Sequence, residues 1–195
     1  MLDLSRSCGL AIVLATALTF PTYAQETAPA DGTGLAMGQA VGQGAEPYVK
    51  GTFGDWELRC LKTKDGSDPC EIYQLLKDAK GNAVAEITML ALPDGAQAAA
   101  GSTIIVPLET LLPRQLQVAI DANEPKLYPF TFCTQVGCFS RIGFTAEEIE
   151  NLKKGTKATI SVVPIAAPDQ VVSVDISLKG FTDAFEAVKA ERPKP

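Results

Sequence analysis

Val172-Ser173-Val174-Asp175-Ile176-Ser177-Leu178 alternates apolar and polar side chains without interruption. A period of two places every second side chain on one face of an extended chain, so this stretch reads as a half-buried strand with one dry and one wet side. Gln115-Leu116-Gln117-Val118-Ala119-Ile120 repeats the pattern. Working outward from these two, short runs rich in β-branched and aromatic residues predict strands over 52–60, 70–76, 84–91, 103–107, 115–121, 127–133, 138–142, 157–163 and 171–178. Turn-forming residues separate them, at Asp65-Gly66, Lys80-Gly81-Asn82, Pro93-Asp94-Gly95 and Asp121-Ala122-Asn123. Short strands at this spacing, without intervening βαβ helices, predict a mainly β domain over 48–190: an antiparallel, jelly-roll-like β-sandwich.

Two short accessory helices interrupt the pattern. Thr145 followed by Glu148 forms a capping box, Ile149 and Leu152 supply the apolar stripe, and Lys153-Lys154-Gly155 ends the element with positive charge and a glycine. Near the C-terminus Thr182 is placed to cap a second helix, with Phe181, Phe185 and Val188 on one side to close the core. Glu191-Arg192-Pro193-Lys194-Pro195 reads as a polar tail, 191–195.

The other end of the chain carries an address. Leu10 to Phe20 is apolar, Arg6 precedes it, and Thr22-Tyr23-Ala24 offers small residues for cleavage, so 1–24 reads as a signal peptide cut after Ala24. An uncleaved anchor is the alternative, because Asp3 offsets Arg6; a lipid anchor is disfavoured because Cys8 precedes the apolar run. No integral membrane span is expected after cleavage, since a helix crossing a bilayer needs about 20 apolar residues. From 25 to 47 the composition turns to Gly, Ala, Gln, Thr and Pro, a flexible linker reaching on the order of 25 Å as a coil.

Cys60, Cys70, Cys133 and Cys138 follow the export signal in a chain without histidine. An oxidising compartment pairs such cysteines into structural bridges. Four cysteines admit three pairings, and short spacing favours Cys60 with Cys70 and Cys133 with Cys138. The second pair would staple a hairpin tip, Cys133-Thr134-Gln135-Val136-Gly137-Cys138, with Gly137 free to take positive φ. A redox role is disfavoured, as the tighter Cys-x-x-Cys spacing at a helix N-terminus is missing, and paired zinc knuckles are missing too. No metal or other cofactor is expected.

Several stretches, taken in order, resemble a known family. They are Phe53-Gly54-Asp55-Trp56-Glu57-Leu58-Arg59-Cys60, Cys70 with Tyr73-Gln74, and Leu92-Pro93-Asp94-Gly95. Phe130-Thr131-Phe132-Cys133 with Gly137-Cys138, Leu152-Lys153-Lys154-Gly155 and Ser177-Leu178-Lys179-Gly180-Phe181 complete the series. Over roughly 53–188 the chain is similar to the invasion-associated locus B family of secreted or periplasmic alphaproteobacterial proteins. The resemblance implies an envelope or exported β-sandwich protein, associated in some pathogens with invasion of host cells, notably erythrocytes. It brings no agreed catalytic residues.

The composition excludes several classes of function. The net charge is −6 and the basic residues are scattered, which argues against nucleic acid as a partner. Without histidine there is no Ser-His-Asp or Cys-His machinery, so hydrolysis would rest on carboxylate pairs among Asp55, Glu57, Glu71, Glu86, Asp121 and Asp175. No two of these recur at a fixed spacing, and a solvated sheet face accounts for them better than a glycan hydrolase does. The expectation is therefore a non-enzymatic binding protein of the periplasm, outer membrane or cell surface, with an envelope or host-surface protein as partner. A structural part in an envelope assembly is the alternative. Gln135, Val136, Phe139 and Arg141 at the bridged tip are the candidate binding residues, while Trp56 is expected to pack against the Cys60 bridge.

Overall fold

The computed structural model describes residues 47–192. Eleven strands and two helices follow in order: β1 (Pro47–Phe53), β2 (Trp56–Leu61), β3 (Cys70–Lys77), β4 (Ala83–Ala91), β5 (Ala100–Val106), β6 (Leu116–Ile120), β7 (Lys126–Tyr128), β8 (Phe132–Cys133), β9 (Cys138–Phe144), α1 (Ala146–Lys154), β10 (Lys157–Val162), β11 (Val172–Ser177) and α2 (Phe181–Ala190). A seven-stranded sheet runs β1-β2-β3-β4-β5-β9-β8 and a four-stranded sheet runs β11-β10-β6-β7. Every pairing is antiparallel. The expected mainly β architecture of two packed sheets with two short helices is thus the observed one.

Alternation explains how the layers meet. Leu58, Ile72, Ile87, Ile104 and Ile142 of the large sheet share one core with Leu116, Val118, Ile160, Val174 and Ile176 of the small sheet. The two alternating stretches of the sequence are β6 and β11; Leu116, Val118, Ile120, Val174, Ile176 and Leu178 are buried, while Val172 is exposed. Helix α2 adds Phe181, Ala184, Phe185 and Val188 to the same core. Helix α1 opens with the expected capping box at Thr145 and Glu148 and buries Ile149 and Leu152. Among the described residues no helix is long and apolar enough to cross a membrane.

Four local expectations are corrected. The run 52–60 is a hairpin rather than one strand, because Gly54, at φ +58, turns the chain between β1 and β2. The run 127–133 is likewise broken: β7 belongs to the small sheet and β8 to the large one. Pro129 stands between them and has no N–H to donate to a ladder. Helix α2 is capped by Gly180, not Thr182, whose hydroxyl instead donates to the Lys153 carbonyl at 3.3 Å. Trp56 meets Phe181 edge to face at 5.4 Å, and its Nε1 donates to the Ser177 carbonyl at 2.8 Å. Cys60 lies four residues further along β2, about 13 Å away, so the bridge is not the partner of this ring.

Pro47, placed by sequence in the linker, is the first residue of β1. The rest of that linker, the signal segment 1–24 and residues 193–195 of the tail lie outside the described residues.

Candidate functional site

The bridged tip is built from the strand pairing beneath it. Phe132 faces Phe139 and Cys133 faces Cys138, so the Cys133–Cys138 disulfide joins directly opposed residues at the last rung of β8 and β9. Thr134 N–H donates to the Gly137 carbonyl at 2.9 Å, and Val136 N–H donates to Thr134 Oγ1 at 3.2 Å. Gly137 has φ +155, and a Cβ there would stand 2.4 Å from the Val106 carbonyl oxygen, so this position tolerates no side chain. Gln135 and Val136 project from the resulting rigid loop, and Val136 is 74% exposed. The other two cysteines pair as favoured, Cys60 with Cys70, again between opposed residues.

The four candidate residues fall at one corner of the outer face of the large sheet. Phe139 is half-buried there, stacked on exposed Phe132 at 4.7 Å, and the Arg141 guanidinium lies 5.6 Å from the Phe132 ring centre. Strand register extends this corner into a band, since Phe139 faces Ile105, Ile105 faces Glu86, and Glu86 faces Leu75. Gln135 and Val136 line a shallow groove of about 460 Å³ with Leu75, Val84, Ile105 and Leu108. Sequence reading finds the tip and misses Leu75, Ile105, Leu108 and Phe132. The signal for two of them was present: Leu75-Leu76 and Ile104-Ile105 are adjacent aliphatics in strands, and only one of each pair can face the core.

Beside the band the outer face turns polar. Arg59 bonds Glu57 at 2.7 Å and lies 3.3 Å from the centre of the Tyr73 ring, whose hydroxyl donates to Glu86 at 3.1 Å. Burial pushes the Glu71 carboxyl above its ordinary range. The remaining candidate acids are each engaged: Asp55 accepts from Ser177 Oγ at 2.6 Å, Asp121 from the Thr156 and Lys157 amides, and Asp175 from Thr159 at 2.9 Å. Among the described residues no group of three or more acids or cysteines is placed to hold a metal.

Two hollows open between the sheets. A polar cleft of about 680 Å³ separates β3 from the Asp175–Ser177 end of β11 and is lined by Asp55, Arg59, Lys77 and Lys157. An apolar crevice of about 210 Å³ lies at the opposite end of β11, between Val172, Val174, Val84, Val106 and Leu108. The crevice is walled by the 107–111 and 163–166 connections, which are tied by Ile165 N–H to the Glu109 carbonyl at 2.8 Å and Leu111 N–H to the Val163 carbonyl at 2.7 Å.

A family model described as "Invasion associated locus B (IalB) protein" matches residues 56–189. Invasion protein B homologs from two Brucella abortus strains, 2308 and biovar 1 strain 9-941, are each 25% identical over 147 residues, covering 75% of this chain and 83% of theirs. The crystal structure of invasion associated protein b from Bartonella henselae matches with a TM-score of 0.63 at 18% identity, covering 72% of this chain and 94% of that one, a likeness of fold.

Proposed function

The chain belongs to the invasion associated locus B family, and from that membership we propose that it is an exported, non-enzymatic envelope protein that binds a protein partner through the band at its bridged tip. The observation that carries this reading is the row Phe132, Phe139, Ile105, Glu86 and Leu75 beside Val136, apolar but for Glu86 and held by strand pairing on the solvent side of a sheet. Aromatic and aliphatic anchors that need no ordering on binding lose little entropy when covered. The basic-then-apolar N-terminal segment and the two disulfides support export to the periplasm, outer membrane or cell surface. The Brucella and Bartonella relatives are named for invasion, which supports a partner met on a host surface.

A structural place in a periplasmic or outer-membrane assembly is the second reading. It is favoured by exposed apolar residues that continue past Leu108 to Ile165, Val171 and Val172.

Photo-crosslinking in the native envelope tests the first reading. With p-benzoylphenylalanine in place of Val136, a discrete adduct is expected that is missing when the same group replaces Asp183, exposed on α2. Phe132→Ser should abolish that adduct. Equal adducts from both positions would sink the proposal. Protease added to intact cells then separates the two locations, with a protected adduct indicating an internal assembly and a cleaved one a surface binder.

A further inference from the structure

Four strands form the edges of the two sheets, and three of them are blunted. β1 opens with Pro47, carries Lys50 and shifts register between Val49 and Gly51. β7 has three residues, and β8 has two and ends in a disulfide. These are devices by which proteins keep a sheet from growing. β11 carries one charge, Asp175, and none of the others: it runs for six residues, without proline, and pairs with β10 along its whole length with no bulge.

The direction of its free hydrogen bonds can be read from one residue. Ser177 turns both backbone groups away from β10: its N–H donates to Gln74 Oε1 at 2.8 Å, and its carbonyl accepts from Gln74 Nε2 at 3.0 Å and Trp56 Nε1 at 2.8 Å. The buried Gln74 amide thus occupies the place of a peptide group on a neighbouring strand. In an antiparallel pair alternate residues face the same way, so Asp175 and Ser173 also point outward. Both are exposed, and among the described residues their backbone groups have no partner. The polar cleft lies alongside at one end of this edge and the apolar crevice at the other.

We propose that the open edge of β11 is a β-strand addition site that takes an extended polypeptide segment from a partner, hydrogen-bonded to Ser173 and Asp175. β10 shows what β11 accepts as a neighbour. On the wet face Thr159 bonds Asp175 at 2.9 Å and Ser161 bonds Ser173 at 2.7 Å; on the dry face Ile160 and Val162 stand opposite Val174 and Val172. The added strand follows the same alternation, hydroxyl or lysine side chains outward and a β-branched or aliphatic side chain inward, where the crevice beside Val84 and Leu108 receives it. Main-chain bonds hold the segment and the alternating positions select it. The crevice shares Val84 and Leu108 with the groove beside the tip, but the hydrogen-bonding edge at Ser173 and Asp175 does not, so a readout at those two amides reports on this edge and not on the tip.

Amide hydrogen exchange on the full mature protein tests the site. The probe is a pool of capped heptapeptides alternating Thr or Lys with Val, Ile or Leu. The Ser173 and Asp175 amides should slow by about tenfold or more at saturation. The same pool N-methylated on the amides that face β11 should leave them unchanged. Ser173→Pro deletes an outward N–H that the fold does not use and should abolish protection; the N-methylated pool keeps the test decisive should that variant fold poorly. No protection, equal protection by the N-methylated pool, or protection that appears with protein concentration alone, meaning a second copy on this edge, would each overturn the proposal.

Discussion

Gly180 has φ +82, and a Cβ there would lie 2.2 Å from the Phe53 carbonyl oxygen; Gly54 opposite has φ +58 and would press on the Lys179 carbonyl at 2.4 Å. The two glycines let the β1–β2 turn meet the start of α2 backbone to backbone, with Asp55 N–H donating to the Lys179 carbonyl at 3.1 Å. A side chain at either position both strains φ and pushes the segments apart. Gly180→Ala is therefore expected to cost about 3 kcal/mol in urea unfolding with the bridges intact. Gly66→Ala is the comparison: it has φ +74 but nothing within 4 Å, so it should lose only about 1 kcal/mol. Equal losses would show that the close approach is not what matters. At this scale the sequence misses the turn at Gly54, which falls inside the run 52–60 read as one strand, and marks no turn at Gly180. It does not disclose that they face each other, since they are distant in the chain.

Between elements, the ion pair that ties β7 to α1 sets a pH response. The Tyr128 phenol is pushed up to about 12, by burial first and then by the charge of Glu148 and the hydrogen bond to it. In the unfolded chain it titrates near 10.0, so the unfolded state gives up that proton first. Stability should hold below pH 10 and fall as the pH rises from about 10 toward about 12, and Tyr128→Phe should flatten that limb. Glu148 behaves oppositely. Burial raises its carboxyl, but the Lys126 hydrogen bond at 2.6 Å and the bonds from Thr145 outweigh this and hold it below its usual 4.5. Its stabilisation is present above pH 4.5 and lost as the pH falls through the lower folded value, and Lys126→Met should shrink this acid limb. Denaturant titrations across pH check both, and a flat profile in the unaltered protein would remove the argument. The capping box that holds Glu148 is legible in the sequence. Lys126 and Tyr128 are not, because they arrive from β7, a strand that no local pattern links to α1.

For the whole molecule the two bridges act on the unfolded chain. Each closes a short loop, with separations of 10 and 5 residues, and the loop-entropy model gives about 2–3 kcal/mol for each. Replacing Cys133 and Cys138 with alanine should lower stability by about 2 kcal/mol, and titration of the denatured, unreduced mature protein should find no reactive thiol among the four cysteines. Full reactivity would mean that the bridges do not form. Such staples suit a sandwich whose apolar surface is partly spent outside its core, on the band from Leu75 to Phe132 and on the loops around Leu108 and Ile165. The amino-acid sequence by itself determined the class of fold, the faces of β6 and β11, the α1 cap, the pairing favoured for the cysteines and the tip residues, because period, caps and spacing are local properties of the chain. Only the tertiary structure decided that 52–60 and 127–133 each divide into two strands, that Trp56 packs on Phe181, and that Leu75, Ile105 and Phe132 line up beside Val136. It also decided which edge is left open, because register, sheet order and the reach of Gln74 to Ser177 depend on residues 103 positions apart, which no local pattern links.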